Sequence, residues 1–213
     1  MTSLPDGISR DVKIVSMGLE DYAMAVEAFH GCLAPGLLIG GFMVDQAYKN
    51  LPKGEFFDAV SESPNCLPDA IQLLTPCSIG NGWLKVVDTG RFALTLFEKY
   101  SGAGVRVSVD SAALQEWPEI RNWFFKLVPK HEQDQARLIA QILEAGASIL
   151  AIARTEVDPR ITQKIKGQKV TICPECQESF PAKLGVRCGH CSGKAVYYKP
   201  VAGALARIMR LAV

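Results

Sequence analysis

The sequence lacks the features that mark membrane proteins, secreted proteins and strongly charged nucleic-acid-binding proteins. No apolar run reaches the roughly 20 residues that a membrane-spanning helix needs. No basic segment followed by an apolar one marks a signal peptide near the N-terminus. The net charge is only +1, so the chain has no general attraction to nucleic acid or to an anionic membrane. Internal repeats and low-complexity tracts are also absent from the sequence.

The composition that remains is typical of a globular protein in a reducing compartment. Hydrophobic residues make up 48% of the chain and charged residues 21%, as in ordinary folded domains. A length of 213 residues fits one domain of ordinary size with a small appendage. Seven cysteines without a signal peptide indicate a cytoplasmic protein that uses thiolates for metal binding or chemistry. A disulfide framework is the less favoured alternative.

Four of the seven cysteines form two Cys-x-x-Cys pairs, at Cys173 with Cys176 and at Cys188 with Cys191. Each pair brings two thiolates to one ion, and two such pairs complete a tetrahedral four-sulfur site. We therefore predict a zinc ribbon with a structural zinc ion. His190 lies inside the second pair, but the four sulfurs already complete the site, so we expect it to face solvent or to support a ligand.

The surface of the ribbon suggests a protein partner rather than a nucleic acid. Nucleic-acid binding is not favoured, because aromatic residues near the basic positions are limited to Tyr197 and Tyr198. The basic positions are Lys183, Arg187, Lys194 and Lys199. An apolar helix predicted over residues 204–212 needs a surface on which to bury its face. Contact with a protein partner, including a second copy of the chain, is therefore an open prediction.

Hydrophobic periodicity and turn residues predict an α+β core in which helices pack on an antiparallel sheet. Helices are expected at residues 19–29, 37–48, 64–74 and 131–145, with Ser63 as the N-cap of the third. Strands are expected at residues 56–60, 83–87, 92–97 and 105–109, and residues 149–157 fit either helix or strand. The predicted organisation is a core over residues 1–160, a linker over 161–169, and the ribbon with a C-terminal helix over 170–213.

A second group of metal-ligand and polar side chains lies within the predicted core. An imidazole and thiols suit a transition metal, and they equally suit a thiolate nucleophile with a histidine base. The alternative is that the cysteines are small buried hydrophobic residues and the histidine is satisfied by backbone groups. The candidate catalytic and metal-binding residues are His30, Cys66 and Cys77, and the candidate cofactor-binding residues are Cys32, Asp69, Gln72 and Asn81.

Three segments of the core resemble motifs of the FmdE family, which takes its name from formylmethanofuran dehydrogenase. The segments are FHGCLAPGL at residues 29–37, CLPDAIQLLTPCSIGNG at residues 66–82 and DTGRFAL at residues 88–94. The resemblance implies an α+β core, commonly dimeric, whose pocket is lined by His30, Cys66 and Cys77. Asp69, Gln72 and Asn81 would form polar groups around that pocket. Cys32 stands where the commonest motif has a second histidine, and Ala34 stands where it has a cysteine.

The resemblance leaves two functions open. In the first, a core His/Cys pocket binds a transition metal, and the protein acts in or serves one-carbon metabolism linked to molybdenum or tungsten. In the second, the protein is a non-enzymatic interaction or regulatory protein whose core senses a small ligand or metal. Thiol redox chemistry by Cys66 and Cys77 ranks lower, because the two do not form a Cys-x-x-Cys pair.

Overall fold

The computed structural model describes residues 12–52, 56–162, 167 and 169–198. The chain divides into two compact units, Met1–Gln163 and Lys164–Val213. The helix predicted over residues 204–212 lies outside the described residues. None of the described helices is both long and apolar enough to cross a membrane.

The first unit contains five α-helices and seven strands among its described residues. The helices are α1 (Leu19–His30), α2 (Pro35–Asn50), α3 (Leu67–Leu74), α4 (Pro118–Phe124) and α5 (Gln135–Ala145). The strands are β1 (Lys13–Ile14), β2 (Met17–Gly18), β3 (Phe57–Ser61), β4 (Leu84–Val86), β5 (Ala93–Glu98), β6 (Ala103–Val109) and β7 (Leu150–Glu156). The predicted α+β class is confirmed.

Five strands form one sheet in the order β4-β3-β5-β6-β7. Neighbouring strands are antiparallel, except that β3 and β4 run parallel with Ala59 opposite Leu84. This pair differs from the expected antiparallel sheet because α3 connects the two strands, and a crossover helix returns the chain in its starting direction. At the other edge, β7 pairs with β6 with Ile152 opposite Val107. Four of its seven residues are exposed in succession, from Ala151 to Arg154.

The central element of the core is α2, which packs against β5, β6, α3 and α5. Pro35 begins the helix at a position where no backbone N–H is needed. Gly41 lets α1 approach closely, since a Cβ there would lie 2.7 Å from the ring of Tyr22. The hydroxyl of the buried Tyr22 donates a hydrogen bond to the carbonyl oxygen of Leu37 at 2.8 Å. A close helix contact and a buried hydrogen bond therefore hold α1 on α2.

Three predicted boundaries shift in the structure for local reasons. The third helix begins at Leu67 rather than residue 64, because Ser63 uses its hydroxyl to accept the backbone N–H of Asn65 instead of capping the helix. The fifth begins at Gln135 rather than residue 131, because Asp134 caps it by accepting the backbone N–H of Arg137. The ambiguous segment 149–157 contains the strand β7.

A buried carboxylate, Glu62, ties the end of β3 to neighbouring elements. Its two oxygens bind the guanidinium of Arg106 and accept the Thr89 hydroxyl at 3.0 Å. Arg91 lies 2.8 Å from the same carboxylate. The hydrogen bond from Arg106 lowers the pKa of Glu62 below its usual value. This network fixes the start of the loop that follows β4.

Replacing Glu62 with glutamine is expected to lower the free energy of unfolding by about 3 kcal/mol near pH 7, because it removes one partner of a buried ion pair. A depressed pKa in the folded state stabilises the protein above the unfolded pKa, near 4.5. The difference between wild type and Glu62→Gln should therefore shrink as the pH falls below that value. Urea denaturation at several pH values measures this, with the exposed Glu144→Gln as the control. A difference that stays constant into acid would contradict it.

Candidate metal centres

The first candidate centre is the cysteine cluster of the second unit. The sulfur atoms of Cys173, Cys176, Cys188 and Cys191 all lie within 4.8 Å of one another. The sulfurs of Cys176 and Cys188 are 3.9 Å apart, close to the spacing of about 3.8 Å that tetrahedral zinc with 2.3 Å bonds requires. The donor set and its spacing therefore fit a zinc ion.

Backbone geometry prepares this cluster for a cation. The chain forms β8 (Val170–Ile172) and β9 (Ser179–Pro181), an antiparallel pair that carries Cys173 directly after β8. Backbone N–H groups of Cys176 and Cys188 lower the pKa of Cys173 to about 6. Burial and the neighbouring Cys188 raise the pKa of Cys191. The cluster therefore keeps protons that a bound zinc ion would displace.

The rest of this unit differs from the prediction in one pairing. Val196 and Tyr198 were expected in the flanking strands with Val170 and Ile172, but β8 pairs instead with β9. Tyr198 packs on the ring of His190, with ring centres 4.2 Å apart and planes within 10°. His190 does not belong to the ligand group. The ring contact gives His190 a packing role beside the second cysteine pair.

The second candidate centre begins where α1 ends and α3 starts. α1 ends at His30, where Gly31 takes a left-handed conformation with φ of 89°. Asp69 lies in the first turn of α3. The Nδ1 of His30 and the Oδ2 of Asp69 are 2.7 Å apart, with both side chains about a quarter to a third exposed (27% and 30%). A proton on Nδ1 donated to the carboxylate leaves Nε2 as the nitrogen that can accept a proton or bind a metal.

Cys66 stands at the N-terminus of α3 in a strained backbone conformation. Its φ of 56° and ψ of −52° place it at the centre of a γ-turn, in which the N–H of Leu67 approaches the carbonyl oxygen of Asn65 at 2.6 Å. Such a turn is rare and costs of order 1–3 kcal/mol at a residue other than glycine. Residues held in such conformations cluster at functional sites.

The Cys66 side chain lies against α2 and close to other candidate ligands. A Cβ at Gly36 would lie 2.8 Å from its sulfur, so only glycine at that position leaves room for the thiol. Burial, the carboxylate of Asp69 and the thiol of Cys32 all raise the pKa of Cys66. Cys32 itself is exposed. Without a cation nearby, Cys66 therefore remains a neutral thiol at pH 7.

Cys77 lies apart from His30 and Cys66, which corrects the predicted three-residue pocket. Cys66 precedes α3 and Cys77 follows it, and eight residues of helix span about 12 Å. The Cys77 thiol is fully buried and donates to the carbonyl oxygen of Phe57 at 3.5 Å. Among the described residues, the ribbon cysteines are the only group of three or more metal-ligand side chains whose donor atoms converge.

Cys77 also has the properties of a structural thiol. Burial raises its pKa to about 11, whereas a reactive thiolate requires a lowered pKa. A disulfide requires the Cα atoms of two cysteines to lie within about 7 Å, and the intervening α3 exceeds that distance. Redox chemistry that joins Cys66 to Cys77 is therefore disfavoured by this structure.

Two further predicted pocket residues instead build the turn after α3. Asn81 accepts backbone N–H groups of Ser78 and Trp83 with its side-chain oxygen and donates to the carbonyl oxygen of Pro76. Gln72 accepts the backbone N–H of Ile79 at 3.1 Å. The side chains of Asn81 and Gln72 are thus engaged in shaping a loop, because backbone groups in a tight turn need hydrogen-bond partners.

Sequence reasoning missed a cleft that adjoins the second centre. The cleft has a volume of about 810 Å³, and Cys66 and Gly36 contribute to its wall. Its opposite wall comes from Phe92, Trp123 and Phe124, which lie 26 or more positions from Cys66 in the sequence. The segment 88–94 carried a motif resemblance, but no local pattern linked α4 to the site.

The fold and the four-cysteine module together define an α+β protein that carries a C-terminal zinc finger. Two family models match the chain and describe these same two parts. One, described as "FmdE, Molybdenum formylmethanofuran dehydrogenase operon", matches residues 29–157, and the other, "FmdE treble clef zinc finger", matches residues 164–198. The chain belongs to the FmdE family, as its motifs predicted, and its zinc module is a treble clef finger.

Two relatives extend this comparison. The crystal structure of an FmdE-like protein of tungsten formylmethanofuran dehydrogenase from Syntrophus aciditrophicus shows a chain that is 48% identical, with a TM-score of 0.79. The match covers 87% of this chain and 98% of that one. A probable S-adenosyl-L-methionine-binding protein from Archaeoglobus fulgidus is 29% identical over 84% of this chain. The match covers 54% of that protein, so the chain spans about half the length of this curated relative.

Proposed function

We propose that the core binds a transition metal ion beside the bonded pair His30 and Asp69, with Cys66 and Cys32 supplying sulfur. The observation that carries this proposal is the 2.7 Å hydrogen bond between His30 Nδ1 and Asp69 Oδ2. Metal-binding histidines commonly donate their second nitrogen to a carboxylate, which fixes the ring and raises the basicity of the ligand nitrogen. Here that arrangement leaves Nε2 free to act as the ligand.

The surroundings of the pair support a soft or borderline ion. Burial, a carboxylate and a second thiol oppose ionisation of Cys66, and a bound cation would reverse that opposition. Zinc and similar ions accept imidazole and thiolate together. The donor atoms do not yet form one tight group, so binding requires a side-chain rotation, for which the exposed Cys32 has the most freedom. The metal would supply Lewis-acid chemistry or a bound water, while the chain positions its ligands.

Metal analysis of protein purified without chelator tests the proposal. Wild type is expected to hold more than the one zinc ion of its finger. The double variant His30→Ala with Cys66→Ser should lose the excess and keep the finger zinc. Cys77→Ala is the matched control, because it removes a core thiol that lies away from the pair, and it should keep both metals. Wild-type stoichiometry in the double variant would overturn the proposal.

Replacing Asp69 with asparagine is expected to weaken core metal binding about 10- to 100-fold, because the ring of His30 loses the carboxylate that orients it. A competition titration with a chromophoric chelator measures the affinity of the core site. Asp21→Asn, at an exposed position in the first turn of α1, provides a control of equal charge. Equal affinities in wild type and Asp69→Asn would show that the carboxylate does not support a metal ligand.

We propose further that the protein serves one-carbon metabolism linked to molybdenum or tungsten. The support is the family description and the name of the Syntrophus protein, which refer to formylmethanofuran dehydrogenase. Deleting the gene in a host that carries this dehydrogenase should lower its activity, and complementation with wild type should restore it. The variant His30→Ala with Cys66→Ser should fail to restore it. Unchanged dehydrogenase activity after deletion would refute this role.

A further inference from the structure

The cleft beside Cys66 has the size and lining of a small-molecule site. Its volume of about 810 Å³ lies within the range of about 300–1,000 Å³ found for ligand pockets. Its wall combines the start of α2, the loop 88–92, the end of α4 and the segment 126–135. These parts of the first unit are distant in sequence, so the cleft is a product of folding rather than of one loop.

One wall of the cleft is aromatic. Phe92 and Phe124 meet edge to face, with ring centres 6.2 Å apart and planes at 87°. Trp123 lies against Phe124 with ring centres 6.1 Å apart. All three rings line the cleft and are only partly buried. Partly exposed rings at such spacings offer faces and edges on which a flat ring of a ligand can pack.

The charges at the cleft favour an anion. Arg91 is already paired with Glu62, and Asp88 accepts the backbone N–H of Gly90 at 3.0 Å. Lys126 and Lys130 line the same cleft, and no ion pair to either lysine occurs within the described part of the chain. Lys126 has a left-handed backbone with φ of 55° directly after the aromatic end of α4. The two lysines therefore provide positive charge that no carboxylate of the described residues neutralises.

Gln133 adds one polar group of defined orientation. Its side-chain nitrogen donates to the carbonyl oxygen of Val128 at 2.8 Å. That bond fixes the amide, and its oxygen is buried without a hydrogen-bond partner among the described residues. Buried oxygens of this kind are normally satisfied. Since Gln133 lines the cleft, a ligand with an N–H or O–H group can satisfy it.

We infer that this cleft binds a small molecule in which a flat aromatic ring carries a phosphate or carboxylate. The ring packs on Trp123, Phe124 and Phe92, and the anion lies at Lys126 and Lys130. Because Cys66 also lines the cleft, the ligand lies beside the proposed metal centre. The inference names a substrate class for the proposed function and rests on it only for what happens to the bound ligand.

Four probes separate the ring from the charge. Ligand-observed NMR titrations of the full chain would use 1-naphthyl phosphate, 1-naphthoate, uncharged 1-naphthol and inorganic phosphate. We expect at least one of the two charged aromatic probes to bind at least tenfold more tightly than both 1-naphthol and phosphate. Comparison of naphthyl phosphate with naphthoate then identifies the preferred anion. Binding of 1-naphthol as tight as that of both charged probes would overturn the inference.

Variants locate the binding in the cleft. Lys126→Gln with Lys130→Gln should weaken the preferred charged probe about tenfold and leave 1-naphthol within twofold. Lys126→Arg with Lys130→Arg keeps the charge and should retain binding. Lys13→Gln with Lys85→Gln, outside the cleft lining, controls for net charge. Thermal melts of each variant verify folding, and wild-type affinity in the folded Gln/Gln variant would overturn the inference.

The same titration in His30→Ala with Cys66→Ser keeps the two proposals distinguishable. Probe binding without a core metal in wild type would leave the cleft as a ligand site and refute the metal centre. A core metal without probe binding would support the metal centre and refute the ligand class.

Discussion

Replacing both Cys176 and Cys188 with serine is expected to remove one zinc ion per chain and to unfold the treble clef finger. The finger has few buried hydrophobic residues among its described positions, chiefly Cys173 and Phe180. Its folding energy must therefore come largely from the metal. Structural zinc contributes about 10–16 kcal/mol of apparent binding energy in comparable small modules. Metal analysis, with amide NMR signals of residues 169–198 as the folding readout, measures both effects.

The first unit should remain folded in that variant, because its core is built from its own helices and sheet. Ser192→Ala provides a matched control beside the second cysteine pair, since it removes only an exposed hydroxyl that bonds to Gly189. Zinc binding should also weaken as the pH falls, because protons compete for the sulfurs. Full zinc content in the double serine variant would contradict the assignment of these sulfurs as ligands.

Replacing Gly41 with alanine is expected to lower the free energy of unfolding by about 3 kcal/mol, although alanine usually stabilises a helix interior by about 1 kcal/mol. The new methyl group would lie 2.7–3.0 Å from three atoms of Tyr22. Moving that ring costs packing energy and endangers its hydrogen bond to Leu37. Urea denaturation measures the loss.

A double-mutant cycle shows whether Tyr22 is the cause. Tyr22→Leu shortens the side chain that the methyl group would meet, so Gly41→Ala should cost much less in that background than in wild type. Gly80→Ala provides a control at an open position, where the added Cβ would meet its nearest neighbouring atom only at 4.0 Å. Additive losses in the cycle would place the cause elsewhere.

Local patterns predicted the parts of this protein whose structure depends on nearby residues. Two Cys-x-x-Cys pairs predicted the zinc module because each pair is short enough to fix its own geometry. The apolar residues of α2 predicted a buried central helix for the same reason. The parallel strand β4 was not predicted, because strand direction depends on how α3 crosses the sheet.

The core site shows where such patterns stop being informative. A motif spanning residues 66–82 grouped Cys66 with Cys77, but the length of α3 separates them. Asp69 was expected only near the pocket, and the structure places it directly on His30. The wall formed by Trp123 and Phe124 depends on where α4 packs, which no short motif encodes. The predicted homodimer and protein partner remain predictions.

The exposed strand β7 has a consequence for solubility. It is the last strand of the sheet among the described residues, so one row of its backbone N–H and carbonyl groups is available to another extended chain. Such edges promote stacking of one molecule on the next unless charged side chains interrupt them. Arg154 and Glu156 provide charges on this strand, and they protect the folded protein from growth into fibrillar assemblies.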